Sequence, residues 1–493
     1  MKRVLGIVLL LGLILCLQAD NFQNFKSKVV KYQLSNGATL LVLEKHDVPI
    51  VHCITVAKVG SVNEEPGKTG IAHILEHMAF KGTTTIGTSD YTKEQKLNNE
   101  ADAIFSQILA AKKSNASKDK IDDLQKKLDA KDKEASDYIV PNEFSEIIQR
   151  NGGTDLNAGT MMDMTIYQIS YPSNRLELWM AMETDRFTNP VFREFYKERD
   201  VIIEEKRMRY DNSPQGKLIS DIADSAFTVH PYKHPTIGYQ EDLESVTRQD
   251  VYDFFNKYYG AANLIFTVYG DVKAADVKSL ADKYLSTIPK RTPVQDVAIV
   301  EPPQTSERSY VIKENAQPMF FMAYHVPAEI SPESPALDAL VNILGQSQTS
   351  RLTKSLVEDK KVSVGAFAFK GYPGSKYPNL LLIGAVPSPG HTIQECKDAI
   401  EIEINKMKNE PVTQKELQGY QKRTQLQNVQ QLNGGLYLAM QLGYYEALEG
   451  DYSQLFNEFD KTKKVTPEQI KAAAKKYLVD TNKTVAEMVT KGE

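Results

Sequence analysis

The sequence predicts an α+β protein built from two homologous domains, each an antiparallel-rich β-sheet flanked by helices. First, apolar strand-like runs lie on both sides of Asn36 and Gly37, a dipeptide typical of a tight β-hairpin. Second, segments with a helical spacing of apolar residues alternate with the strand-like runs. Third, residues 246–263 resemble residues 465–482 at a constant shift of 465 − 246 = 219 positions. Such an internal repeat indicates a duplicated domain.

The composition indicates a large protein with no affinity for nucleic acid. At 493 residues the chain exceeds the usual size of one domain. The formal net charge is −5, and no long basic run is present. A single tryptophan and scattered aromatic residues provide no platform on which bases could stack. We therefore expect no nucleic-acid partner.

The first nineteen residues have the pattern of a signal peptide. Two basic residues precede an apolar run over residues 4–17, which is short for a membrane span. Cleavage after Ala19 would release a periplasmic or secreted chain without a transmembrane domain. Two alternatives stay open, namely an uncleaved anchor and a lipid anchor on Cys16. Leu15 is larger than the small residue usual before a lipidated cysteine.

The remaining chain divides into two domains and a linker. We assign residues 20–288 to the N-terminal domain, residues 289–305 to a proline-containing polar linker, and residues 306–493 to the homologous C-terminal domain. Within the first domain, residues from about 89 to 138 are mostly polar and contain two stretches with helical spacing. We expect this insert to be a helical hairpin that is exposed on most of its faces.

One short stretch has the spacing of a metal site on a helix. His73, Glu76 and His77 are three and four residues apart, so a helix would place their side chains on one face. Two neutral imidazoles suit Zn²⁺, and the glutamate between them could take a proton from a water molecule at the metal. The alternative is a surface patch in which the histidines pair with the acid. A catalytic zinc site also needs a third protein ligand.

A second segment could supply that ligand. Residues 195–209 have helical spacing, and Glu198 and Glu205 lie seven residues apart on one face, about two turns along the helix. Glu204 points about a quarter-turn away from them. Taken alone, such an acidic helix is more typical of a solvated face than of a metal site.

A glycine-rich turn precedes a candidate edge strand. Gly152 and Gly153 lead through residues 157–160 into a strand-like run at residues 164–170. The turn has neither the lysine of a P-loop nor the spacing of a dinucleotide-binding motif. We therefore interpret this region as an edge on which an extended peptide could pair.

The order H-x-x-E-H at positions 73–77, continued by Met-Ala-Phe-Lys-Gly, resembles the inverzincin metallopeptidases of the pitrilysin/insulinase family, in particular its half-length members. Residues 198–205 are similar to the second motif of that family, and residues 152–160 are similar to its substrate-facing edge strand. One departure is the spacing between His77 and Glu205, because it exceeds the family norm by about the size of the insert.

The resemblance implies a zinc-dependent endopeptidase that cleaves peptides or unfolded protein segments, with Zn²⁺ as its cofactor. It assigns the zinc ligands to His73, His77 and Glu205, the catalytic roles to Glu76 and Glu198, and the substrate-binding positions to Asn157, Ala158 and Thr160. In the implied mechanism, Glu76 is the general base, and Glu198 supports the site without binding the metal.

The same resemblance implies that a second, homologous subunit closes a chamber around the peptide substrate. Residues 336–345, at the position of a duplicated metal helix, contain no histidine or glutamate, so the second domain is expected to be non-catalytic. Residues 431–445, where the family implies a substrate-gripping arginine and tyrosine, contain tyrosines but no arginine. We therefore favour a heterodimer over a homodimer. The competing interpretation is a catalytically silent subunit that binds peptides or acts as a scaffold.

Overall fold

The computed structural model describes residues 25–492. The predicted signal peptide and Cys16 lie outside the described residues. Within residues 25–492, no helix combines the length and the apolar composition that crossing a bilayer would need.

The first half of the chain forms a six-stranded sheet. Its strands are β1 (Val29–Gln33), β2 (Thr39–Glu44), β3 (Ile50–Ala57), β4 (Thr154–Thr160), β5 (Thr165–Pro172) and β6 (Leu264–Gly270). Their order is β1-β2-β6-β3-β5-β4, in which β2 and β6 are parallel and all other neighbours are antiparallel. The predicted hairpin at Asn36 and Gly37 joins β1 to β2, and Gly37 has a φ of 93°.

Helices cover this sheet and form the main hydrophobic core with it. They are α1 (Ile71–Met78), α2 (Tyr91–Lys113), α3 (Lys118–Ser136), α4 (Glu143–Arg150), α5 (Leu176–Thr188), α6 (Phe195–Lys206), α7 (Pro214–Ala226), α8 (Gln240–Ser245), α9 (Arg248–Tyr258) and α10 (Ala274–Lys283). A π-helical turn over Arg207–Asp211 continues α6. Strand β2 illustrates the two sheet faces, because Leu40 and Leu41 are both buried but belong to different clusters.

The second half forms a five-stranded sheet in the order β7-β11-β8-β10-β9. Its strands are β7 (Arg308–Glu314), β8 (Met319–Val326), β9 (Ser363–Tyr372), β10 (Asn379–Pro387) and β11 (Lys483–Thr490). Its helices are α11 (Ser334–Val341), α12 (Ile393–Asn409), α13 (Gln414–Asn433), α14 (Gly435–Glu449), α15 (Gln454–Lys464) and α16 (Pro467–Tyr477), with π-helical turns at Asn342–Gln346 and Thr353–Asp359. The predicted linker, residues 289–305, contains no helix or strand.

The internal repeat of the sequence is also a structural repeat. α9 and α16 each begin with a capping box on a threonine, Thr247 and Thr466. The next strands, β6 and β11, begin at Leu264 and Lys483, which are related by the same shift as the two sequence segments. Each of these strands is parallel to one neighbour, β2 or β7, and antiparallel to the other, β3 or β8. The predicted α+β class, with two homologous antiparallel-rich sheets flanked by helices, is confirmed.

Each half contributes one helix to the sheet of the other half. On α7, Leu218 joins a buried cluster with Phe321 of the second sheet. On α14, Leu442 joins a buried cluster with Ile54 of the first sheet. The two halves therefore share hydrophobic cores instead of packing as separate units.

The predicted insert is a two-helix hairpin made of α2 and α3. One stripe of α2 packs into the main core through Ala101, Phe105 and Ile108, a contact that the expectation of a mostly exposed hairpin did not include. Glu94, near the start of α2, is fully buried and accepts a hydrogen bond of 2.8 Å from Arg193 Nε. A polar composition concealed this packing, because only one stripe of α2 is apolar.

Candidate metal centre and peptide cleft

Helix α1 is fixed at its N-terminus by a buried carboxylate. The two oxygens of Glu64 accept hydrogen bonds from the backbone N–H groups of Gly70 (2.9 Å) and Ala72 (2.8 Å), which a helix start would otherwise leave unpaired. Gly70 has a φ of 90°, and a Cβ atom there would lie 2.5 Å from the carbonyl oxygen of Ile237. This turn therefore requires glycine. The apolar face of α1 is buried in the main core through Ile71, Ile74, Leu75 and Met78.

The polar face of α1 meets α6, and the three predicted zinc ligands come together there. Nε2 of His73 lies 3.9 Å and Nε2 of His77 lies 3.7 Å from Oε2 of Glu205. One donor atom from each of the three side chains lies within 4.8 Å of the others. Both nitrogen–oxygen distances are too long for hydrogen bonds. Two imidazoles and a carboxylate in this arrangement could hold a metal ion.

Arg209 orients the candidate carboxylate ligand. Its guanidinium lies 2.9 Å from Oε1 of Glu205, which leaves Oε2 directed at the histidines. The side chain of Glu204 is 58% exposed and pairs with Arg207, whereas that of Glu205 is 19% exposed. The two neighbouring acids therefore face different environments, as their angular separation on a helix predicts.

Glu198 lies behind His77 and outside the group of donor atoms. Its Oε1 is 3.0 Å from His77 Nδ1, and its Oε2 is 2.6 Å from Lys81 Nζ. Burial would raise the pKa of Glu198, but the hydrogen bonds from His77 and Lys81 outweigh burial and lower this pKa to about 2. Glu198 is therefore a carboxylate that accepts the Nδ1–H of His77 and leaves Nε2 facing Glu205.

The two histidines differ in their surroundings. Burial lowers the pKa of His73 to about 3, so its ring is neutral and offers a lone pair. Burial also opposes protonation of His77, but the hydrogen bond to Glu198 and the nearby carboxylates outweigh burial and raise the pKa of His77. Nδ1 of His73 is buried and has no hydrogen-bond partner among residues 25–492. Of the two rings, that of His77 is therefore the one held by an acidic side chain.

Glu76 faces the cleft beside the donor atoms and is held by the edge strand β4. Oγ1 of Thr160 donates a hydrogen bond of 2.8 Å to Oε2 of Glu76. Burial raises the pKa of Glu76, and the hydrogen bond from Thr160 opposes this rise. Thr160 thus positions a carboxylate, a contact that its predicted substrate-binding role does not include.

Strand β4 forms one wall of an open cleft of about 510 Å³. It lies at the edge of the first sheet and pairs only with β5. Its other edge therefore presents backbone groups that no strand of the described chain pairs. The three predicted substrate-binding residues, Asn157, Ala158 and Thr160, all line this cleft. Tyr210 and Thr236 contribute to the lining from other parts of the chain.

Two site residues, Lys81 and Arg209, do not appear among the predicted ones. Lys81 contacts Glu198, and Arg209 contacts Glu205. Each follows a predicted zinc ligand by four residues, which is the spacing of neighbours on a helix. This four-residue spacing could have predicted that Lys81 and Arg209 lie near the site. Nothing in the sequence indicated that Tyr210 and Thr236 would line the cleft.

The second half has no comparable group of donor atoms within the described chain. α11 follows β8 as α1 follows β3, and its side chains Leu337 and Leu340 are buried in the second core. Among residues 25–492, His73, His77 and Glu205 are the only three histidine, cysteine or acidic side chains grouped closely enough to hold a metal.

The chain is similar to bacterial zinc proteases. It is 28% identical over 425 residues to the zinc protease PqqE of Helicobacter pylori, an alignment that covers 84% of this chain and 82% of the relative. It is 22% identical over 467 residues to the uncharacterized zinc protease YmxG of Bacillus subtilis, covering 92% of this chain and 96% of the relative.

Solved structures share the fold. A protease from Helicobacter pylori superposes with a TM-score of 0.76 at 25% identity, covering 94% of this chain and 99% of that structure. The first half of the periplasmic protease PqqL from Escherichia coli has a TM-score of 0.70 at 19% identity, covering 94% of this chain and 92% of that structure.

Two family models match different parts of the chain. The model described as "Insulinase (Peptidase family M16)" matches residues 40–118 and 133–240, and the model described as "Peptidase M16 inactive domain" matches residues 245–424. Residues 119–132, most of α3, fall between the matched segments, so the part outside the family model is narrower than the predicted insert. Both models describe domains of one peptidase family, and together they match well over half of the chain. The chain therefore belongs to the insulinase family, peptidase family M16.

Proposed function

We propose that this chain is a zinc-dependent endopeptidase that cleaves peptides or unfolded protein segments. One observation carries the proposal: donor atoms of His73, His77 and Glu205 converge beside Glu76, next to the open edge of β4. The similarity to chains named zinc proteases supports a metallopeptidase activity. The alternative, a catalytically silent peptide-binding subunit, would not need this intact set of metal-donor atoms.

The residues present fit a zinc ion. Tetrahedral ligands about 2.0–2.2 Å from zinc are separated by roughly 3.3–3.6 Å, close to the 3.7 and 3.9 Å between the histidine nitrogens and Glu205. In this proposal His73, His77 and Glu205 hold the ion. When bound, zinc would supply Lewis-acid chemistry by polarising the scissile carbonyl and acidifying water.

Glu76 performs the proton transfers of the proposed reaction. Thr160 holds Oε2 of Glu76, so Oε1 is available to accept a proton from the attacking water. Glu76 then delivers this proton to the nitrogen of the leaving amine. Glu198 keeps Nδ1–H of His77 engaged, and this fixes the orientation of the imidazole ring.

The substrate would bind in an extended conformation along β4. An unpaired strand edge can bind a peptide through backbone hydrogen bonds, and this recognition does not depend on the peptide side chains. Asn157 and Ala158 would contact the peptide, while Thr160 would hold the base beside the scissile bond. This mode of binding suits peptides and unfolded segments better than folded proteins.

We further propose that a homologous partner subunit encloses the substrate. In this proposal the partner lacks the zinc motif and supplies an arginine that residues 431–445 of this chain do not contain, so a heterodimer is favoured over a homodimer. The assembly would act in the periplasm or outside the cell. The signal-like residues 1–19 support this location, and so does the similarity to a protein named a periplasmic protease.

Cleavage of a peptide library, with and without a chelator, tests the proposed activity. We expect endoproteolytic products from the zinc-loaded protein, none after metal removal, and recovery when Zn²⁺ is added back. Cleavage that persists in protein shown to be metal-free would contradict the proposal. Peptide binding without any cleavage would favour the silent subunit.

A further inference from the structure

The second half contains an open cleft of about 590 Å³ beside α13, remote in sequence from the metal centre. Five cationic and two acidic side chains line it. They are Arg351, Lys354, Lys415, Lys422 and Arg423, with Glu358 and Glu416. This excess of positive charge contrasts with the chain as a whole, whose formal net charge is −5.

Most of these cations are not neutralised within the described chain. Arg351 is paired, because its guanidinium donates to both oxygens of Glu416 at 2.7 and 3.1 Å. By contrast, Lys354, Lys415 and Lys422 are exposed, and no acidic oxygen in the described part of the chain lies within 4.0 Å of their ammonium groups. Three lysines thus line one cleft without an ion-pair partner in the described chain, and Glu358 is the one acidic side chain of the lining that is also without such a partner.

Arg423 provides a fourth unneutralised cation in the cleft. It donates a hydrogen bond of 2.6 Å to the neutral Oδ1 of Asn342, and its buried Nε has no partner among residues 25–492. Gly419, one turn earlier on α13, leaves room beside this guanidinium, since a Cβ there would lie 3.2 Å from NH1 of Arg423. The cleft therefore combines exposed lysines with an arginine that is fixed by Asn342.

The corresponding place in the first half is filled by the α2–α3 hairpin. α6 begins at Phe195 and α13 at Gln414, and the repeat shift relates these two positions to each other. On α6, the ring of Tyr196 lies 4.6 Å from that of Phe105 on α2, and its hydroxyl donates to Asp102 at 2.7 Å. The repeat shift relates Tyr196 to position 415 of the cleft. A carboxylate-bearing helix therefore covers the first-half counterpart of this surface.

The second half has no such hairpin in the described chain. Only residues 347–362 connect the turn after α11 to β9, and they contain a single π-helical segment, Thr353–Asp359. This connection lines the cleft through Arg351, Lys354 and Glu358 but supplies no two-helix hairpin over α13.

We propose that this cleft binds an acidic segment of the polypeptide substrate through its carboxylates. The proposal rests on the peptidase function proposed above. Charge complementarity supports it, because four cations without an ion-pair partner in the described chain line the cleft against one unpaired acid, Glu358. The arrangement of the first half also supports the proposal. There, helix α2, which bears the carboxylate of Asp102, covers the surface of α6 that corresponds to this cleft.

Binding of labelled peptides to the full chain tests this inference. The protein carries Glu76→Gln so that peptides are not cleaved, and fluorescence anisotropy compares a Glu-rich peptide with a Gln-rich peptide of the same length. We expect tighter binding of the Glu-rich peptide. The double variant Lys415→Glu, Lys422→Glu should weaken its binding about tenfold, whereas the affinity for the Gln-rich peptide should barely change. Both lysines are exposed, so this variant should fold.

The matched control is Lys112→Glu, Lys113→Glu, which reverses two exposed charges at the end of α2. Equal affinity for the two peptides, or equal weakening by the control pair, would overturn the inference. A competition experiment adds inorganic phosphate to the bound Glu-rich peptide, with chloride at equal ionic strength as the control. If phosphate displaces more peptide than chloride does, the site is a phosphate site and the carboxylate proposal is overturned. Anisotropy needs no turnover, so an inactive chain would refute the proposed function without affecting this result.

Discussion

At the scale of single residues, two glutamates that reach the same cleft have different surroundings. Glu205 directs Oε2 at both histidine Nε2 atoms, and Arg209 occupies its other oxygen. Glu76 accepts a hydrogen bond from the hydroxyl of Thr160, and it is not one of the three side chains whose metal-donor atoms converge. These contacts favour a ligand role for Glu205 and a base role for Glu76, and substitution can separate the two roles.

Glu76→Gln should preserve zinc binding and abolish hydrolysis. The amide keeps the shape of the side chain but cannot accept the proton, and loss of a general base typically costs 10²–10⁴-fold in rate. Turnover of a cleaved peptide and zinc content measured on the same preparation check this outcome. Retention of more than about a tenth of wild-type turnover would show that another group is the base.

Three neighbouring acids on α6 should respond differently to substitution by glutamine. Glu205→Gln should lose zinc, because it replaces a charged ligand, whereas Glu204→Gln should bind zinc normally, because that side chain pairs with Arg207 at the surface. Glu198→Gln should keep zinc and lower turnover, because it loosens the support of His77. The zinc content of the three purified variants, measured by metal analysis, distinguishes these roles. Zinc loss in the Glu204 variant alone would reverse the assignment.

At the scale of secondary-structure elements, the α2–α3 hairpin supports the helices that carry the site. Phe105 of α2 packs against Tyr196 on α6, the helix that also bears Glu205. The buried Arg193, just before α6, pairs with Glu94 of α2 and donates to the carbonyl oxygen of Thr83 at 2.7 Å. Removal of residues 89–138 would therefore leave a buried guanidinium without its counter-charge.

Glu94→Gln isolates that buried ion pair without deleting the hairpin. We expect it to lower the free energy of unfolding by roughly 3 kcal/mol, since removal of one partner of a buried pair leaves an uncompensated charge. Glu100→Gln is the matched control on the same helix, because its partner Lys131 is at the surface and such pairs contribute about 0–1 kcal/mol. Urea unfolding of both variants gives the comparison. Equal stabilities would mean that the hairpin contributes little through Glu94.

At the scale of the whole molecule, the two halves are joined by more than the linker. α7 and α14 each cover the sheet of the opposite half, and both bury leucines there. α14 includes much of the predicted partner-dependent segment, residues 431–445, and its Leu438 and Leu442 are committed to the first sheet. The surface available to a partner subunit is therefore set by how the halves pack together.

The oligomeric state can be tested on the purified chain. If the partner carries the missing arginine, the purified chain should cleave peptides poorly alone and gain activity when a homologous subunit is added. Light scattering gives the oligomeric state of the chain, and a peptide-cleavage assay on the same preparation gives its activity. A homodimer that cleaves peptides at full rate without any added subunit would contradict the proposed heterodimer.

By itself, the sequence determined what short-range periodicity and internal repetition encode. The spacing of His73, Glu76 and His77 predicted one polar helix face, and the angle between Glu204 and Glu205 predicted that the two acids face different directions. The resemblance to the family, and not the angle, assigned the inward role to Glu205. The constant shift between the two repeated segments predicted the second α+β sheet, and Asn36 with Gly37 predicted the first hairpin.

Only the tertiary structure decided which surfaces those elements share. The contact of Thr160 with Glu76 joins residues 84 positions apart, and no local pattern specifies such a contact. The burial of α2 depends on which helix lies opposite its narrow apolar stripe, and the exchange of α7 and α14 depends on how the two halves pack. Periodicity fixes the face that an element must bury, but the partner of that face is chosen by long-range packing.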